Sequence, residues 1–221
     1  MRSGLVICLS ILLGVGVARA GESGWREPAA SSYTVRTGEH LRAPYVQTYR
    51  LVEYSQQRGR WILPDFGDYD FGQGGERLLF TGVGAEFHPG KRVVLTQIVY
   101  FSQALGPGSH AARYIWVWPV LDVNIAPRLK AEAVAYPTIP LNRAADAGFD
   151  LDRAKLEYAL RPRFTLGLGY SASECASTGW QNKPFLTTTI STRAGAFEFW
   201  LQKIPAGEQI QVRYQLVRSP R

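Results

Sequence analysis

The chain has 221 residues, 46% hydrophobic and 19% charged, with 22 glycines. Its length suits one large domain or two small ones, and its composition excludes a disordered chain. Beyond residue 20 no apolar run approaches the roughly 18 residues a membrane helix needs. The formal charge of +7 is a mild excess, and no basic run interleaves with aromatics, so no nucleic-acid partner is expected.

Residues 1–20 read as an export signal peptide. Arg2 is the positive start, Leu5 to Val17 the apolar core, and Ala18-Arg19-Ala20 the small-x-small cleavage site, with the cut before Gly21. Cleavage leaves a mature charge of about +5 and removes Cys8, one of the two cysteines. Cys175 then stands alone, in a Ser/Gly/Thr-rich segment with no base beside it, so a catalytic thiol is not expected.

Residues 21–43 lack a steady period and are expected to form a periplasmic tail or linker, in which Tyr33 to Arg36 can add a short extended piece. Residues 44–217 are expected to form a β-barrel. Its first strand is Pro44 to Tyr54, followed by a Gly- and Asp-rich loop to Gly75, in which Trp61 to Leu63 can add a short strand. Strands then recur at 77–87, 91–101, 113–125, 129–136, 151–160, 164–171, 184–191, 196–203 and 209–217. Pro119 lacks a ladder donor and marks irregular pairing within the strand at 113–125.

The hairpin Leu151 to Tyr170 is the clearest unit. Ala154, Leu156, Tyr158 and Leu160 alternate with Arg153, Lys155 and Glu157; after Arg161-Pro162-Arg163, Phe164, Leu166, Leu168 and Tyr170 alternate with Thr165, Gly167 and Gly169. Successive strand residues point to opposite faces, so each strand has one greasy and one polar or small face. Short turns at 88–90, 126–128, 161–163 and 192–195 alternate with longer links. If the short turns share one end of a barrel, both termini lie there too.

This pattern resembles the bacterial outer-membrane β-barrels, with their even strand number, short periplasmic turns, long outer loops and apolar-out, polar-in alternation. The resemblance covers about residues 44–217 and is one of pattern. It implies an all-β, antiparallel up-and-down transmembrane barrel of about ten strands, with eight to twelve allowed. It also implies an outer-membrane address, outer-membrane lipid and lipopolysaccharide as surroundings, and the β-barrel assembly machinery as a partner. Its role would be structural, binding or narrow transport. Tyr136, Tyr170 and Trp200, near strand ends, could join interfacial aromatic girdles.

Alternation alone leaves open a soluble periplasmic ligand-binding barrel with the faces reversed, in which Leu156, Tyr158 and Leu166 are core. In the membrane reading Lys130, Glu132, Arg153, Lys155, Glu157, Glu198 and Arg213 line the lumen, either as a lined pore or as an ion-paired plug. Ser109-His110 would suit a lipid-modifying hydrolase, but no partner acid is evident and no catalytic residue is assigned. Asp65, Asp68 and Asp70 cluster without the spacing of a known Ca²⁺ loop. The sequence has no zinc motif, phosphate loop or Rossmann fingerprint, so neither metal nor cofactor is expected.

Overall fold

The computed structural model describes residues 30–42, 45–70, 77–105, 112–175, 179–193, 195–205 and 207–218. The proposed signal peptide and the Ser109-His110 pair lie outside these residues. Among the described residues twelve antiparallel strands run in chain order: β1 (Ala30–Arg42), β2 (Tyr45–Arg58), β3 (Trp61–Asp70), β4 (Arg77–Gly90), β5 (Val93–Leu105), β6 (Arg113–Ala126), β7 (Leu129–Pro140), β8 (Gly148–Arg161), β9 (Phe164–Cys175), β10 (Gly179–Ser191), β11 (Ala196–Ile204) and β12 (Gly207–Arg218). Each pairs with its sequence neighbours, and β1 pairs with β12 from Tyr33↔Arg218 to Leu41↔Ile210. Closure leaves no sheet edge, as lipid requires of a spanning sheet.

The count corrects two expectations. Ala30–Arg42, expected within a tail or linker, is the strand that closes the barrel. Trp61–Asp70, expected as mostly loop, is a full strand, with a register shift between Ile62 and Asp65 around Pro64. That bulge explains why alternation fails there: one extra residue inverts the facing of the residues after it. Pro119 behaves as expected. The β6–β7 register runs Trp116↔Thr138 and then Val120↔Val134, interrupted where Pro119 and Pro137 lack donors.

The links at 59–60, 91–92, 127–128, 162–163 and 192–195 lie at one end, where β1 begins and β12 finishes.

Large apolar side chains face outward. Leu156, Leu168, Leu186, Leu201 and Ile210 pair in one row across β8 to β12 and are 37%, 60%, 61%, 53% and 45% exposed. A soluble protein rarely exposes so continuous a patch. This overturns the reversed, soluble reading: Leu156, Tyr158 and Leu166 are exposed, while the charged face of β8 is turned inward.

Candidate functional site

The interior has two unlike walls. The ionic wall is built on β7, β8, β11 and β12. Lys155 Nζ lies 2.7 Å from Glu198, 3.1 Å from Glu157 and 3.5 Å from Glu132. Arg153 pairs with Glu132 and Asp152, and Arg213 reaches Asp152 at 3.5 Å. Thr189 Oγ1 donates to Glu157 at 3.2 Å. These groups are largely shielded from solvent; the Lys155 side chain is 7% exposed. Charges so removed from water persist only when paired and hydrogen-bonded.

Two of these contacts are chords. β9 and β10 separate Lys155 from Glu198, and three strands separate Asp152 from Arg213, so both pairs meet through the lumen. A register shift on β8 makes the second chord. Val134 pairs with Arg153 but Ala135 with Leu151, so Asp152 is an extra residue. Strict alternation sends neighbours to opposite faces, and the bulge lets Asp152 and Arg153 both turn inward.

Beside these charges, Phe185 and Trp200 stack at 4.0 Å between ring centroids, and the Arg213 guanidinium sits 3.6 Å from the Trp200 ring. Phe185 has room because Gly169 lies on the adjacent strand: a Cβ there would fall 2.3 Å from Phe185 Cζ. Gln202 Nε2 donates to Ser171 Oγ at 2.7 Å within the same wall.

The aromatic wall is built on β2 to β7. Leu51, Ile62, Phe80, Ile98 and Tyr100 form one buried cluster, with Trp116 and Trp118 packed against it. Tyr100 stands 5.0 Å from Phe80 and 5.5 Å from Trp118, and Tyr136 stands 5.4 Å from Trp118. Glycines again supply the space: a Cβ at Gly82 would lie 2.4 Å from Tyr100 Cδ1, and one at Gly67 2.4 Å from Phe80 Cζ.

Of the residues named from sequence, Glu132, Arg153, Lys155, Glu157, Glu198 and Arg213 are brought into the ionic wall. Lys130 is exposed, two residues after the turn at 127–128, and lies beside the network at the barrel end. Asp152 was missed because only the bulge turns it inward; the adjacent Asp152-Arg153 pair at a break in alternation is the signal for it. The aromatic wall was missed as a wall, because β4 carries apolar residues on both faces. Asp68 and Asp70 do not join Asp65: Asp68 shares the outward face with Phe66 and bonds Arg77, whereas Asp65 is buried. Tyr136 and Trp200 are drawn into the interior rather than an interfacial girdle. Tyr170 and Trp180 instead share Asn182 on the exterior. Among the described residues no group of three or more His, Cys, Asp or Glu is placed to hold a metal ion.

No protein-family model and no curated protein matches the sequence. Solved structures do match in fold. A KdgM porin in complex with disordered oligogalacturonate aligns with a TM-score of 0.58 at 8% identity, over 86% of this chain and 99% of that one. A NanC porin aligns at 0.55 and 8%, over 86% and 100%. The Pseudomonas putida toluene transporter TodX aligns at 0.52 and 8%, over 86% and 89%. With the closed ladder and the outward leucine row, this likeness defines the fold as that of an outer-membrane β-barrel of porin type.

Proposed function

We propose that the protein is an outer-membrane barrel that binds small polar or charged solutes, and passes them slowly, between its ionic and aromatic walls. The observation that carries this reading is the pair of chords, Lys155–Glu198 and Asp152–Arg213, which narrow the lumen with charged groups beside a wall of aromatic and apolar side chains. Twelve strands enclose more space than an eight-stranded barrel, whose interior side chains fill, and less than the 16 or so of a wide aqueous pore. Aromatic faces opposite fixed charges suit solutes with both apolar and polar sides. Among the similar structures, one porin is seen with oligogalacturonate and another barrel is a toluene transporter, so passage of solutes is a property this fold supports. In this reading the outward leucines contact lipid, the long-link end faces lipopolysaccharide, and the barrel assembly machinery inserts the chain.

Conductance of the purified protein in planar bilayers tests the proposal. The expected result is a small, defined conductance that rises in the Lys155→Ala/Glu198→Ala double variant. If wild type and double variant are both electrically silent while folded, the barrel is structural and the proposal fails.

A further inference from the structure

Asp65 is the anomaly of the aromatic wall. Its side chain is 1% exposed, and its Oδ1 has no hydrogen-bond partner. A buried carboxylate oxygen left unsatisfied is costly, and native structures rarely keep one without a counterpart. The groups within hydrogen-bonding reach of the rest of the side chain are Glu53, Ser55 and Tyr100. None is a cation; one is a second acid.

The local backbone builds this cluster. The bulge between Ile62 and Asp65 turns Asp65 inward, where it pairs across β2 with Ser55 and across β4 with Gly82. Gly82 has no side chain, so the Tyr100 ring crosses it and carries its hydroxyl from β5 towards β2. There Tyr100 Oη stands 3.4 Å from Glu53 Oε1. That is long for a hydrogen bond between a hydroxyl and a carboxylate, which settles nearer 2.5–2.7 Å. It is an ordinary spacing for two oxygens that share a metal ion at about 2.3–2.6 Å each.

We propose that Asp65 and Glu53, with the hydroxyls of Ser55 and Tyr100, form a site for one hard divalent cation of the Ca²⁺ class inside the barrel. Two carboxylates match a double positive charge, and four oxygens with no nitrogen or sulfur select hard ions over zinc or copper. The ion would satisfy Asp65 Oδ1 and tie β2, β3 and β5 together from within. The inference does not depend on whether the lumen conducts.

Terbium is the probe, because Tb³⁺ takes Ca²⁺ sites and emits when a neighbouring aromatic ring is excited, and Tyr100 is such a ring. The full-length barrel is folded in detergent, and its folded state is checked by gel mobility before and after heating. Saturable emission at one ion per chain, displaced by Ca²⁺, is expected. Asp65→Asn should weaken binding at least about tenfold, as should Glu53→Gln, while Asp68→Asn, an acid on the outer face, should not. Tyr100→Phe should dim the emission. Folded wild type without saturable emission, or undiminished binding in folded Asp65→Asn or Glu53→Gln, would overturn the site and leave the two acids sharing a proton. A variant that fails to fold leaves the wild-type stoichiometry and the remaining variants to decide.

Discussion

Lys155 on β8 meets Glu198 on β11 at 2.7 Å, although two strands separate them in the wall. A bond over that span crosses the interior, so it ties the barrel from within as the backbone ladders tie it from around. Lys155 also touches Glu132 and Glu157 and is the hub of three acids.

Removing the hub should cost more than removing a spoke. Lys155→Met removes the cation shared by three shielded carboxylates, of which Glu132 keeps its pair with Arg153, and a loss of about 3–5 kcal/mol is expected, as for breaking a buried ion pair. Glu198→Gln leaves Lys155 two acids and keeps a hydrogen-bonding side chain, so a loss of about 1–3 kcal/mol is expected. Denaturant unfolding in detergent, followed by tryptophan fluorescence, measures both. Equal costs would mean that the acids do not act through Lys155.

The inward glycines are required where rings cross them. Gly169→Ala would place a methyl 2.3 Å from the Phe185 ring. Overpacking of that kind costs about 1–3 kcal/mol, and Phe185→Leu in the same chain should restore part of it. Gly90→Ala is the control, since nothing lies within 4 Å of its Cβ position, and stability should hold. The same unfolding titration reads all three.

Leu186 is 61% exposed near the middle of β10. Leu186→Arg should lower folding free energy in lipid bilayers by about 2–4 kcal/mol, the cost of a cation at the bilayer midplane. Folding into liposomes across a urea series gives the value. An unchanged midpoint would mean that this face meets water.

The long hairpins were legible because alternation and turn chemistry agree there: β8 and β9 read directly from Arg153 to Gly169. β3 was not, because Pro64, Gly67 and its three aspartates read as turn formers and the bulge breaks the period. β1 was not, because its segment ASSYTVRTGEHLR carries few large apolar residues, so no greasy face announces it. The ionic wall was legible residue by residue, but its chords were not, since sequence cannot say which strands face across a lumen. Two of the inward aspartates, Asp65 and Asp152, sit at bulges, where a rule based on period two must fail. The aromatic wall escaped for a different reason. β4 is apolar on both faces, and only the barrel decides that Leu78 and Phe80 go in while Leu79 and Val83 go out.

The central claim is that the greasy faces look outward into a membrane. Fractionation of the cell envelope, followed by gel mobility with and without heating, tests it most directly. The account predicts recovery in the outer-membrane fraction and a band that shifts when the detergent-resistant barrel is unfolded by heat. Recovery as a soluble periplasmic protein with no heat-dependent shift would contradict it.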